Sequence, residues 1–203
     1  MKGAAAWAHC REVTRPYRFQ KRPEGENTLK DILKSERIET ERLTLRAYRE
    51  EDLPALTELL RDPLIQKTFM IPVYETDAEY EALALKLIAF SQPADTKHLE
   101  YGIYRGDRLI GFINDCGFDD SSIELGYFIA PRYWGSGYAT EALRAVLDDL
   151  RRMGFSTVKA GFFEENPASS RVMEKCGMVL TGEAGTEEYR GSTHRVLYRA
   201  ITF

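Results

Sequence analysis

The sequence predicts an α/β domain in which helices pack on a mixed, mostly antiparallel sheet. Three observations support this prediction. Strand-like and helix-like segments alternate along the chain, and Leu99–Phe118 has the pattern of a β-hairpin. An apolar strand at Ser122–Ala130 leads through a glycine-rich turn into a long amphipathic helix. With 203 residues, 43% of them hydrophobic, the chain is long enough to bury one core of ordinary size.

The first half of the chain predicts one strand and two helices. Glu41–Arg46 alternates polar and apolar residues, which is the period of a half-buried strand. Pro54 follows Asp52 and Leu53, a place early in a helix where the missing N–H of proline costs nothing. Thr76-Asp77-Ala78-Glu79 is a capping box, which predicts a helix that continues to about Phe90.

The second half predicts mainly strands. A turn at Gly106-Asp107 separates the two hairpin strands, and the strand at Ser122–Ala130, apolar on both faces, is predicted to be central. The helix at Ser136–Met153 has an apolar stripe made by Ala139, Ala142, Leu143, Val146 and Leu150. The remaining predicted elements are a strand at Thr157–Phe163, a helix at Asn166–Cys176 ended by Gly177, and strands at Met178–Thr181 and Arg195–Thr202.

The N-terminal segment, residues 1–35, differs from the rest of the chain. It is largely polar and charged and is broken by prolines and a glycine. We interpret it as an extension or docking arm, with a short helix at Leu29–Leu33. The domain proper is predicted to cover residues 36–203.

Composition and charge exclude several classes of function. The 28 basic and 32 acidic residues give a net charge of −4, so no excess of positive charge indicates nucleic-acid binding. Cys10, Cys116 and Cys176 are odd in number and far apart, which disfavours a disulfide framework or a metal site. No apolar run approaches the roughly 18 residues of a membrane span. We therefore expect a cytoplasmic protein with no membrane segment, no signal peptide and no bound metal.

The most informative segment is the glycine-rich turn. Small residues at Gly135, Gly137 and Ala139 let a ligand approach the backbone, and the following helix directs unpaired N–H groups and its positive dipole end there. This arrangement favours phosphate or pyrophosphate. A P-loop would need a lysine where Tyr138 stands, and a dinucleotide fold would need a glycine at Thr140. On local spacing alone, two interpretations stay open: a binding site for coenzyme A, and a turn that only joins a strand to a helix.

Three blocks of sequence resemble the GNAT superfamily of N-acetyltransferases. The run Arg132-Tyr133-Trp134-Gly135-Ser136-Gly137-Tyr138-Ala139-Thr140-Glu141-Ala142 is similar to its coenzyme A motif, in the form found in the RimJ/RimL-like branch of ribosomal-protein alanine/serine N-acetyltransferases. Asn166–Met178 resembles the signature N-x-x-S-x-x-V-x-E-K-x-G-F, with Met178 in place of the final phenylalanine. A weaker block is Glu39–Arg46 with Glu51-Asp52. The blocks follow the family order and cover roughly residues 38–203.

The resemblance implies a fold and a reaction. The fold is a three-layer sandwich with helices on both faces of a mostly antiparallel, seven-stranded sheet that is splayed near its middle. The reaction is transfer of the acetyl group of acetyl-CoA to a primary amine, by direct attack in a ternary complex.

The resemblance also implies which residues bind acetyl-CoA. In the family, backbone amides of the glycine-rich turn hold the pyrophosphate, the end of the preceding strand pairs with the pantetheine, and an asparagine and a serine in the later helix hydrogen-bond the coenzyme. Mapped onto this chain, these are Tyr127, Phe128, Ile129, Arg132, Gly135, Ser136, Gly137, Tyr138, Ala139, Thr140, Asn166 and Ser169. The alternatives are ordinary sheet packing for the strand residues and a helix N-cap for Asn166.

Glu124 is the candidate catalytic residue. The attacking amine must lose a proton, and a carboxylate on an otherwise apolar strand tends toward a raised pKa. Related enzymes carry a glutamate base on the same strand; the alternative for Glu124 is a structural ion pair. Many superfamily members place a tyrosine seven residues after the asparagine, where it acts as the general acid that protonates the leaving thiolate. This chain has Met173 at that position. Water, Ser169 or the thiolate's own basicity would then account for the protonation of the thiolate.

Three segments are candidates for acceptor specificity: the loop Thr68–Tyr74, Asn114, and Glu187-Glu188-Tyr189, whose acidic and aromatic groups suit a cationic amine. The expected acceptor is a peptide N-terminus or a small-molecule amine. The alternative function is a non-catalytic acyl-CoA-binding sensor or interaction module. A homodimer stays an open alternative, because dimers are common among similar enzymes.

Overall fold

The computed structural model describes residues 31–203, which form eight strands and five α-helices. The strands are β1 Arg37–Glu39, β2 Thr44–Arg46, β3 Glu100–Arg105, β4 Arg108–Phe118, β5 Ser122–Ile129, β6 Thr157–Phe163, β7 Val179–Tyr189 and β8 Ser192–Thr202. The helices are α1 Leu53–Arg61, α2 Pro63–Gln66, α3 Asp77–Ser91, α4 Tyr138–Arg152 and α5 Pro167–Lys175.

All eight strands belong to one sheet, in the order β1-β2-β3-β4-β5-β6-β8-β7. Neighbouring strands are antiparallel, except that β5 and β6 run parallel with α4 as the crossover. The mixed, mostly antiparallel sheet is therefore confirmed. The predicted count of seven strands was one short, because β1 is a three-residue strand whose sequence carries little alternation.

Helices cover both faces of the sheet, as predicted. On one face, α4 packs on the sheet through Leu143, Val146 and Leu150, and α5 packs through Met173, each of them buried. A side chain buried to this extent contributes about 1.5–3 kcal/mol of hydrophobic stabilisation. On the opposite face, α1 and α3 pack on Tyr104, Phe112 and Phe128 of the sheet. The α3 N-terminus is the predicted capping box, with Glu79 accepting from the backbone of Thr76 at 2.9 Å.

The sheet is splayed between β5 and β6. Their parallel pairing covers only Ser122–Leu125 and Thr157–Ala160. Beyond these residues β5 continues along β4, and β6 continues along β8. A bulge in β4 between Asp115 and Gly117 lies opposite the point of separation, and a bulge bends and twists the strand that carries it. The result is a wedge between Gly126–Ile129 and Gly161–Phe163, which positions the candidate site.

The last residues of the predicted N-terminal arm pack on the domain. Ile32 is buried and its N–H donates to the Thr96 carbonyl at 2.8 Å. The Lys34 ammonium donates to three carbonyl oxygens, those of Phe90, Asp95 and His98. Residues 31–33 are not helical, so the expected short helix is not formed there, and the rest of it lies outside the described residues. The boundary between arm and domain stays a prediction.

Candidate active site

The open end of the wedge is where two helices begin. Because β5 and β6 are parallel, their C-terminal ends lie at the same edge of the sheet. A short 3₁₀ turn at Pro131–Tyr133 and the glycine-rich turn then lead into α4, while α5 starts four residues after β6 ends. The positive ends of both helix dipoles therefore lie near the wedge, which favours an anionic ligand.

The glycine-rich turn uses a backbone conformation that favours glycine. Gly135 has φ +74° and Gly137 has φ +81°, a left-handed region that other L-residues adopt at a cost of roughly 1–2 kcal/mol. Gly137 is the N-cap of α4, and no side chain caps this end. The residues from Trp134 to Gly137 are exposed. The first N–H groups of α4 thus have no side-chain acceptor, and a phosphate could fill that role.

Arg42, in the turn between β1 and β2, contacts the glycine-rich turn. The Arg42 guanidinium donates to Glu141 Oε2 at 2.7 Å and to the Ser136 carbonyl at 3.0 Å. Glu141 also accepts from the Thr40 hydroxyl at 2.6 Å. The Arg42 guanidinium lies 4.6 Å from the centroid of the Tyr138 ring. Arg42 therefore ties the β1–β2 turn to the glycine-rich turn and adds a positive charge beside it.

Substituting Arg42 should weaken coenzyme binding without unfolding the domain. We expect the Arg42→Gln variant to bind coenzyme A roughly fivefold more weakly, the scale of one lost hydrogen bond. Its melting temperature should change little, because Arg42 is 42% exposed in its side chain. Isothermal titration with coenzyme A measures the first effect and thermal unfolding the second. The Arg37→Gln variant, at an exposed position in β1 that does not contact the turn, is the control.

The N-terminus of α5 is capped and tied to β5. The Asn166 Oδ1 accepts from the Ser169 N–H at 3.3 Å, so the capping alternative for Asn166 is realised. The Tyr127 hydroxyl lies 3.1 Å from both the carbonyl and the hydroxyl oxygen of Ser169. Met173, the position where many relatives carry a tyrosine acid, is fully buried in the core under α5. Ser169 and Tyr127 therefore provide the hydroxyl groups at this helix end.

The three predicted pantetheine residues lie along the open edge of β5, beyond its pairing with β6. Tyr127 and Ile129 pack toward α4 and α5, and Phe128 packs in the cluster on the opposite face. The Ile129 carbonyl accepts from the Trp134 indole N–H at 2.6 Å, which fixes the start of the glycine-rich turn against the strand end.

A pocket opens at the wedge on the face covered by α1 and α3; we call it the wedge pocket. Its floor is formed by Gly126 and Gly161, where the two strands separate. Phe69 and Met70 cover it from the loop before α3. The remaining residues that line it are Thr68, Cys116, Glu124, Leu125, Phe162, Phe163, Glu187, Val196 and Tyr198.

Tyr189 holds the covering loop in place. Its hydroxyl accepts from the Ile71 N–H at 3.3 Å and donates toward the carbonyl oxygens of Phe69 and Ile71, each at 3.1 Å. The Phe69 ring packs edge-on against the Phe112 and Phe128 rings, with 5.4 Å between the ring centroids in each pair. The loop thus has a defined position over the wedge pocket, although its sequence predicts no regular structure.

Glu124 is half-buried and lines the wedge pocket. Burial raises the pKa of Glu124 above its ordinary value, the nearby Lys159 ammonium partly offsets this, and the carboxylates of Glu183 and Glu187 add to it. Lys159 lies beside Glu124 in the parallel register and forms an ion pair with Glu183. Burial also raises the pKa of Glu187, the second carboxyl group in the pocket. The pocket therefore presents two carboxyl groups of raised basicity.

The described residues, 31–203, contain neither a metal-binding cluster nor a membrane-spanning helix. Within this part of the chain no cluster of three or more His, Cys, Asp or Glu side chains is arranged to hold a metal ion. None of the helices there is long and apolar enough to cross a membrane.

Comparison with known proteins decides the family. Residues 42–179 match the family described as the acetyltransferase (GNAT) domain, which is more than half of the chain. This chain belongs to the GNAT acetyltransferase family. It is an N-acetyltransferase that uses acetyl-CoA as co-substrate, and the eight-stranded sandwich is the GNAT fold.

Three similar proteins illustrate the relationship. An uncharacterized N-acetyltransferase, YoaA, of Bacillus subtilis (strain 168) is 26% identical over 161 residues, covering 77% of this chain and 90% of its own length. The acetyltransferase from Salmonella typhimurium that modifies the N-terminal serine of ribosomal protein L7/L12 superposes with a TM-score of 0.68 at 20% identity, covering 81% and 96% of the two chains. It shares the fold of this chain.

The third is a spermidine N-acetyltransferase from Vibrio cholerae, solved with CoA and spermine. It superposes with a TM-score of 0.66 at 25% identity, covering 80% of this chain and 96% of that one.

The GNAT fold collects the sequence-predicted residues into two groups. The glycine-rich turn, the end of β5 and the start of α5 lie around one side of the wedge, as the coenzyme motif implies. Glu124 and two of the three predicted acceptor segments, the loop at Thr68–Tyr74 and the stretch Glu187–Tyr189, lie at the wedge pocket. Sequence reasoning missed Arg42 and Glu141 as side chains that position the site, and it assigned Tyr127 to the coenzyme without its contact to Ser169. Arg42 and Glu141 both lie within sequence blocks that resemble the GNAT family, and this resemblance was the signal that could have identified them.

Proposed function

We propose that this GNAT enzyme acetylates a primary amine bound in the wedge pocket, with Glu124 as the general base. The observation that carries the proposal is the place of Glu124, on the pocket wall where β5 leaves β6, with a pKa raised by burial. A carboxylate of raised pKa is better matched to removing a proton from an amine near neutral pH than an ordinary one.

The proposed reaction balances with groups at the site. The bound ammonium gives one proton to Glu124, which frees the nitrogen lone pair to attack the thioester carbonyl; the C–N bond forms and the C–S bond breaks. The nitrogen loses its second proton and the leaving thiolate gains one, passed on by water or by the Ser169 hydroxyl, since Met173 cannot donate a proton. Glu124 returns its proton to solvent. No covalent enzyme intermediate is required, and burial raises the pKa of Cys176 to about 11, which disfavours a thiolate nucleophile.

We propose that the coenzyme lies on the other side of the wedge. The backbone amides from Gly135 to Thr140 would hold the pyrophosphate, with Arg132 and Ser136 on the same turn. The open edge at Tyr127, Phe128 and Ile129 would pair with the pantetheine, and Asn166 and Ser169 would contact it from α5. The uncapped start of α4 and the unpaired edge of β5 support this placement.

The acceptor class follows from the charge of the pocket. Two carboxyl groups, Glu124 and Glu187, and the aromatic rings of Phe69, Phe163 and Tyr198 surround the place where the amine would bind. These groups suit a cationic amine. Both peptide N-termini and polyamines fit this description, and the two structural relatives act on one of each.

A product-resolved panel assay tests the proposal. Thiol release from acetyl-CoA is measured with peptides bearing free N-termini, polyamines, aminoglycosides and amino acids, and each active pool is resolved by mass spectrometry. We expect amine-dependent thiol release with a product heavier by one acetyl group. Tight coenzyme binding without transfer to any pool would instead support a non-catalytic sensor of acyl-CoA.

A further inference from the structure

Asn114 is a buried residue next to the wedge pocket, beside the lining residue Gly126. It lies in β4, paired in register with Gly126 of β5 on one side and with Glu100 of β3 on the other. It is 2% exposed. The Glu100 carboxylate accepts from the Tyr48 hydroxyl at 2.6 Å, so it has a partner of its own.

The side-chain oxygen of Asn114 has no hydrogen-bond partner. Among the described residues it is the one buried side-chain polar atom without a donor within reach. Leaving a buried acceptor unpaired costs about 1–3 kcal/mol. Such an atom is rare in folded proteins and needs a reason, such as a ligand that supplies the missing donor.

Gly126 is the residue of the pocket wall that lies against this oxygen. A Cβ at position 126 would lie 3.0 Å from Asn114 Oδ1 and 3.1 Å from both the Cys116 Sγ and Phe69 Cε2 atoms. Cys116, Phe69 and Gly126 all line the wedge pocket. The Asn114 oxygen therefore lies against the pocket wall at Gly126, and a side chain at position 126 would press on this oxygen, on Cys116 and on Phe69.

We propose that Asn114 binds the acceptor: its Oδ1 accepts a hydrogen bond from the amine nitrogen that attacks the thioester. This inference rests on the proposed function. Glu124 and Gly126 are two residues apart on β5, and alternate residues of a strand share a face. An amine placed at Gly126 by a shift of the Phe69 ring would thus have Asn114 on its β4 side and Glu124 two residues earlier along β5. One group fixes the orientation of the nitrogen while the other removes a proton.

The direct test detects binding without turnover. Protein labelled with ¹⁵N-asparagine and saturated with coenzyme A is titrated with L-alaninamide, and separately with spermidine. The Asn114 side-chain resonance is assigned by its absence in the Asn114→Leu variant, which is similar in size but apolar. We expect this resonance to shift and saturate with at least one amine. If it stays unchanged with both amines, the proposal is overturned, whether or not the enzyme transfers acetyl groups.

Kinetics and stability give a second test with whichever amine is acetylated. For Asn114→Leu and Asn114→Ala we expect the acceptor KM to rise at least about tenfold while the KM for acetyl-CoA is unchanged. The melting temperature of Asn114→Leu should be equal to or above that of the wild type, since an unpaired buried oxygen is removed. A lower melting temperature with an unchanged acceptor KM would show a structural role instead. An unchanged acceptor KM in an active enzyme contradicts this inference alone, whereas inactivity of the wild type contradicts the proposed function.

Discussion

The Glu124→Gln variant should lose activity by about 10²–10⁴-fold in kcat, the usual contribution of a general base. Glutamine preserves the size of the side chain but cannot accept the proton. In the wild type the rate should rise with pH as Glu124 loses its proton, at a pKa that burial raises above the ordinary value of a glutamate. In the variant, the rise in rate that follows the ionisation of Glu124 should be absent. The pH dependence of the rate should then reflect only the ionisation of the acceptor amine. The measurement is kcat and kcat/KM against pH.

Stability provides the control for this variant. Because the pKa of Glu124 is higher in the folded chain than in the unfolded one, its stabilising effect is complete below the unfolded pKa and is lost as pH rises through the folded pKa. Glutamine does not ionise. We therefore expect Glu124→Gln to melt at or above the wild-type temperature near neutral pH, with the advantage shrinking in acid. A loss of activity accompanied by a lower melting temperature at neutral pH would point to misfolding rather than to a lost base.

A negative charge in the glycine-rich turn should abolish most coenzyme binding. Gly135 has a positive φ, and a Cβ at this position meets no atom within 4 Å. Asparagine and aspartate both tolerate this backbone conformation better than other residues. We expect Gly135→Asp to bind coenzyme A at least about tenfold more weakly than Gly135→Asn, because its carboxylate repels the pyrophosphate at the start of α4.

The matched pair separates charge from shape. Both variants pay the same conformational cost, so isothermal titration with coenzyme A isolates the effect of one charge. The difference should shrink as salt is raised, because exposed charges are screened. Equal affinities for the two variants at low salt would show that the pyrophosphate does not lie on this turn.

Much of the fold followed from local patterns. The capping box at Thr76–Glu79, the apolar stripe of α4 and the hairpin about Gly106 each determine their element by short-range chemistry, and the structure has them where predicted. The length of β7 was underestimated, since its pattern is mostly polar and its exposed residues carry no alternation. β1 was not predicted as a separate strand for the related reason that three residues give no period.

The site was less predictable, because it is assembled from distant segments. The coenzyme residues belong to two compact motifs and could be inferred from them. The contact between Arg42 and Glu141 joins residues far apart in the chain, and nothing local indicates it. The proximity of Glu187 to Glu124 and the unpaired oxygen of Asn114 follow from strand order and register, which a single sequence does not specify.

The most direct test of the central claim compares the two carboxyl groups of the wedge pocket. Wild type, Glu124→Gln and Glu187→Gln are assayed with acetyl-CoA and the same amine, and acetylated product is quantified by mass spectrometry. We predict that Glu187→Gln keeps most of the wild-type kcat while its acceptor KM rises, and that Glu124→Gln loses about 10²–10⁴-fold in kcat. Full activity in Glu124→Gln, with the loss found in Glu187→Gln instead, would contradict the assignment of Glu124 as the base.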